Sequence, residues 1–103
     1  MKTGREKHAA SLPTARSIRR ACSKELYRTA KRLKLYVPPA QLEQSEQLYA
    51  KRVVENLLWV HENRSDRKKL ADWWEQELSA EIAAIWNVDR ARLAAAFRDA
   101  FGG

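Results

Sequence analysis

Cysteine is almost missing from this chain. Cys22 is the only one in 103 residues, so no disulfide can form within it. A chain of this size without such a staple rests on a packed core, as proteins of reducing compartments do. Glycine and proline number three each, too few for a fold built from tight turns. Histidine is scarce as well: His8 and His61 are the only two. Neither stands in a Cys–His, Ser–His–Asp or H-E-x-x-H spacing, so the sequence predicts no catalytic centre, no metal and no other cofactor. Long apolar runs are also absent. The longest, 82–86 and 93–97, have five residues, against the roughly 20 that cross a bilayer. The basic start is not followed by an apolar segment, so a secretory leader is not expected and a cytoplasmic location is.

What is present favours helix. Ala, Leu, Glu, Lys, Arg and Gln dominate, and these are good helix formers. No stretch alternates apolar and polar residues as a half-buried strand does. Hydrophobic residues at 45% and charged residues at 32% describe a globular chain rather than a disordered one. The expectation is an all-α bundle of about four helices, at about 15–36, 40–62, 66–86 and 90–101. Residues 1–13 read as a flexible basic tail and 14–103 as a single helical domain.

The net charge of +7 is unevenly spread. Residues 1–37 hold eleven basic and two acidic residues, 38–63 two and four, and 64–103 seven of each. All of the excess therefore lies in the first third, as in polyanion-binding arms and faces.

Periodicity places the side chains. Ile18, Cys22, Leu26, Ala30, Leu33 and Val37 form one stripe of the first helix, with Thr14 as its N-cap. Arg16, Arg20, Lys24, Arg28, Lys31, Arg32 and Lys34 cover the opposite half, and Arg19 intrudes on the stripe. Pro38 and Pro39 end this helix and begin the next. Leu42, Tyr49, Val53, Leu57 and Val60 line the second helix, widened by Val54 and Leu58, with Trp59 on its far, polar side. Ser65 is the expected cap of the third helix. There Leu70, Trp74, Leu78, Ile82 and Ile85 form the stripe, and Glu81 falls on it. Trp73 reads as core edge and Trp86 as partly buried. An apolar stripe in a small bundle is buried, and a buried charge needs a partner, so Arg19 and Glu81 are expected to pair between packed first and third helices.

Residues 82–97, IAAIWNVDRARLAAAF, form a corner. Ala83 is small, Asn87 stands at the turn, Val88 and Leu93 have hydrophobic-staple spacing, and Asp89 caps the fourth helix, whose inner face is Leu93, Phe97 and Phe101. This stretch resembles the helix–turn–helix class. The resemblance implies that 90–101 is a recognition helix, with Arg90, Arg92, Ala94, Ala95 and Arg98 facing a DNA groove. The same caps and staple also suit an ordinary corner between two core helices.

Two functions compete on these residues. In the first, a small non-enzymatic protein binds nucleic acid, DNA ahead of RNA. Arg16, Arg20, Lys24, Arg28, Lys31 and Arg32 would meet phosphates, and Arg90, Arg92 and Arg98 the bases. In the second, the chain is a helical interaction module that docks an acidic protein, or a second copy, through the basic face and an exposed Trp59. No membrane partner is expected, and Cys22 reads as a small buried hydrophobe.

Overall fold

The computed structural model describes residues 11–103. Most of the expected basic tail, residues 1–10, lies outside the described residues. The described residues form five helices and no strand: α1 Ala15–Leu33, α2 Pro39–Glu55, α3 Leu57–Glu62, α4 Arg67–Trp86 and α5 Arg90–Phe101.

Local chemistry sets each boundary. Thr14 caps α1, its hydroxyl accepting from the Ser17 N–H at 3.1 Å. The helix stops at Leu33, three residues short of the expected end. Lys34 enters the left-handed region (φ 53°), and the Leu35 N–H turns back to the Ala30 carbonyl at 3.1 Å. The chain thus breaks before Pro38 requires it, and Val37 reaches the core from the loop.

The expected second helix is two helices. At Asn56 the side-chain amide donates to the Arg52 carbonyl at 2.9 Å, competing with the helical ladder. The backbone there opens to φ −122° before α3 begins. Asn63 ends α3 in the same way, donating to the Trp59 carbonyl at 2.9 Å. The cap of α4 is Asp66, not Ser65: its carboxylate accepts from the Lys69 N–H at 3.1 Å. Asn87 adopts the left-handed conformation expected of it (φ 56°). The Val88 N–H closes on the Ala83 carbonyl at 3.0 Å, and Asp89 caps α5 through the Arg92 N–H at 2.9 Å.

Four long helices pack in a ring. α1 lies on α2 and α5, and α4 lies on α2 and α5, so α1 and α4 stand on a diagonal. The centre is aromatic. Phe97 stacks flat on Trp74, with centroids 3.8 Å apart. Tyr49 meets Trp74 and Phe97 edge-on at 6.3 and 6.2 Å. Leu26, Leu78, Ile82 and Leu93 close around this nucleus with no exposed surface.

Three hydroxyls are buried among them: Thr29, Ser45 and Ser79. Each donates to the carbonyl four residues before it, so none of the three hydroxyls is orphaned, whereas the buried indole N–H of Trp74 has no partner. Ser45 also accepts from the indole N–H of Trp86 at 2.8 Å. That bond draws Trp86 into the core, further than the partial burial expected of it.

The diagonal arrangement overturns the expected Arg19–Glu81 pair. Arg19 approaches Glu46 of α2 at 3.9 Å. Glu81 accepts from Arg52, also of α2, at 2.8 Å. Both side chains reach water, Arg19 at 44% exposed and Glu81 at 52%, because each sits at the edge of its stripe and a long stem carries the charge outward.

Two outcomes follow for stability measured by urea unfolding. Phe97→Ala should destabilise by about 3–5 kcal/mol, the range for emptying a buried aromatic site; a loss under about 1 kcal/mol would deny the nucleus its central role. Arg19→Met and Glu81→Leu should each shift stability by less than about 1 kcal/mol. Their double variant should equal the sum, whereas a coupling above about 1 kcal/mol would show that the two residues meet after all.

Candidate nucleic-acid interface

The basic surface is built by α1. Its buried stripe, Ile18, Cys22, Leu26 and Ala30, turns Arg16, Arg20, Lys24, Lys31 and Lys34 toward solvent. At 3.6 residues per turn Arg16, Arg20, Lys24 and Lys31 share one narrow face, with Lys34 just past the helix end, and successive cations at four-residue spacing stand about 6 Å apart along the axis. Among the described residues none of the five forms an ion pair. The other α1 cations are tied: Arg28 to Glu25 at 4.0 Å and Arg32 to Asp99 at 2.6 Å.

A shallow groove of about 760 Å³ runs beside this face, between α1 and α2. Glu46, from α2, is its one acidic wall residue, and it is already engaged. It accepts from the Ser23 hydroxyl at 2.9 Å and faces Arg19 at 3.9 Å. Arg16, Arg20 and Lys24 line the groove without such a partner. Tyr27 lies there too, 57% exposed, with the Lys31 ammonium 5.5 Å from its ring centre. Sequence reasoning passed over Tyr27, yet it lies two turns from Arg20 and one from Lys31, and that spacing puts it on their face. Glu46 could not have been found this way, because only the packing of α2 on α1 brings it near.

The second candidate surface, on α5, is arranged differently. Arg90 lies back along α4 and donates to the buried Ser79 hydroxyl at 2.8 Å. Arg98 bridges Asp72 and Glu75 of α4 at 2.9 and 3.0 Å. Its hydrogen bond holds the Asp72 carboxyl below the ordinary carboxylate range, with Lys68 adding to the effect. Ala94, expected at the groove, is buried. Of the three arginines only Arg92 is without an ion pair or side-chain hydrogen bond among the described residues. Arg90, Ala91, Arg92, Ala95 and Asp99 are what α5 shows to solvent, since α1 covers one flank and α4 the other.

Trp59 is 40% exposed and rests against Trp73 of α4, with ring centres 6.3 Å apart. A neighbouring helix therefore covers part of it. Cys22 is buried as expected. Burial, with Glu25 and Glu46 nearby, pushes its thiol up to about 12, which keeps it protonated at neutral pH. Among the described residues no three His, Cys, Asp or Glu side chains gather as a metal site, and no helix is long and apolar enough to cross a membrane.

Comparison with protein-family models, with curated proteins and with solved structures finds no match to this chain.

The Asp72–Arg98 pair makes a prediction for acid unfolding. A carboxyl lowered by folding stabilises fully above its ordinary value of 3.8 and loses that contribution as pH falls through the folded value. Asp72→Asn should therefore be less stable than wild type at pH 7 and converge with it below the ordinary carboxylate range. A difference that stays constant from neutral to acid pH would remove the pair as its source.

Proposed function

We propose that the protein binds nucleic acid through the exposed face of α1 and grips the phosphate backbone without reading bases. One observation carries the reading. Arg16, Arg20, Lys24 and Lys31 share one helix face and lack acidic partners among the described residues, while acids engage the arginines at 28, 32 and 98 and a hydrogen bond to α4 holds the one at 90. Unneutralised cations in a row lower the free energy of a polyanion by releasing its condensed counterions. Arginine adds forked donors to phosphate oxygens, and lysine a mobile point charge. Duplex DNA is the first candidate, because a rigid, regular line of charge suits a rigid, regular helix. On α5, Arg92 alone stands ready for such contact, so sequence reading by that helix is not part of the proposal.

A second reading has its own observation. Val54 at 52% exposed, Leu58 at 67% and Trp59 at 40% give α2 and α3 an apolar exposed run. That is the character of a docking surface for another protein. In this reading the basic face of α1 would steer an acidic partner.

Duplex DNA, single-stranded DNA and RNA titrated at several salt concentrations separate the two. The variant with Arg16, Arg20, Lys24 and Lys31 all changed to Gln should bind at least about tenfold more weakly, a loss of about 1.4 kcal/mol. The slope of log affinity against log salt should fall by about 3–4, close to 0.9 for each phosphate that is no longer neutralised. Its helical content should match wild type, since none of the four touches the core. Unchanged affinity and slope would end the nucleic-acid reading, and a wild type that binds none of the three would leave the docking surface as the better account.

A further inference from the structure

The diagonal placement of α1 and α4 leaves a space between them. It is a cavity of about 230 Å³, set apart from the basic face because it lies on the opposite side of α1. Ile18, Val53, Val60, Leu70, Trp73 and Phe101 give it apolar walls. Cys22, Glu25, Tyr49 and Arg67 add a few polar groups. A mostly apolar pocket with a small number of converging polar groups is the usual form of a small-molecule site.

Glu25 is the unusual member. Its side chain is 13% exposed, and its Oε1 is buried with no hydrogen-bond partner. The nearest cations stand too far off to serve: Arg28 at 4.0 Å from Oε1 and Arg67 at 3.9 Å from Oε2. Arg67 does not close that gap because its guanidinium lies over the Phe101 ring, 3.8 Å from the centroid. Burial accordingly raises the Glu25 carboxyl above its ordinary value despite Arg67, Arg28 and Lys24. Buried acceptors in folded proteins are almost always paired, and this one lacks a donor.

We propose that the cavity binds a small neutral molecule with an apolar, bicyclic-sized body and one N–H or O–H donor, the donor going to the Glu25 carboxylate. Size sets the body. A cavity of about 150 Å³ takes benzene, so this one admits a fused two-ring molecule and excludes drug-sized ligands. Charge sets neutrality. Glu25 and Arg67 already offset one another, and a charged ligand would leave an unbalanced charge in an apolar site. The Glu25 carboxylate, with no hydrogen-bond donor on its Oε1, sets the donor. Trp73 and Phe101 set the preference for a flat aromatic body.

Indole serves as the probe, with benzothiophene as its near-isostere lacking the N–H. Each is titrated into the full chain and followed by the methyl resonances of Ile18, Val53, Val60 and Leu70. The proposal expects saturable indole shifts at these methyls, with benzothiophene at least tenfold weaker. Glu25→Gln keeps an oxygen acceptor and should keep that preference. Glu25→Leu should erase it by weakening indole to the level of benzothiophene. Val60→Phe, which fills the cavity from α3, should abolish both. Failure of indole to shift these methyls in the folded wild type would overturn the proposal, as would equal affinity for the two probes. Both of those comparisons use the native chain, so they hold even where a variant fails to fold.

Discussion

Phe97 lying flat on Trp74 is the interaction on which the arrangement depends. It presses α5 against α4 at van der Waals distance. Tyr49 then meets both rings with its edge, which brings α2 across the same point. α1 has one position left, over α5 and α2, where Leu26 can bury completely. Because the aromatic nucleus fills the middle of the ring, α1 and α4 are held on opposite corners.

The charge pattern follows from that ring. With α5 against α4, Arg90 and Arg98 lie over α4 and find Ser79, Asp72 and Glu75 there. With α1 against α5, Arg32 finds Asp99. With α2 against α4, Arg52 finds Glu81. Helix packing thus pairs several cations where two helices meet. The outer face of α1 meets no helix, and there the positive charge is left over. The candidate interface is a row of cations that the fold did not pair.

The cavity has the same origin. Helices on a diagonal do not interdigitate, so the space beside the aromatic nucleus is walled by side chains from every helix and filled by none. Glu25 belongs to α1 yet turns inward into that space. Its Oε1 accepts no hydrogen bond, and Arg67 of α4 stays 3.9 Å from Oε2 because its guanidinium lies over Phe101.

Much of this was legible in the sequence, because it depends on neighbours along the chain. The apolar stripe of α1 and the cations opposite it follow from a period of 3.6 residues, and Tyr27 would have followed by the same rule. The caps Thr14 and Asp89 and the left-handed Asn87 act within a few residues of themselves. Even the break at Asn56 rests on a bond from a side chain to a carbonyl four residues back, though a continuous apolar stripe concealed it. What tertiary structure alone decided was who stands across from whom. A helical stripe says that a face is buried, not against which helix. Arg19 and Glu81 each lie at a stripe's edge, and their partners Glu46 and Arg52 both come from α2, which the pattern of neither helix names. The same holds for Arg98 with Asp72, for Trp86 with Ser45, and for Glu25 with Arg67. Local hydrogen bonds and periodicity act over a few residues and are written in the chain. Pairing between helices depends on which large side chains fit together, and here that was set by where Phe97 came to rest on Trp74.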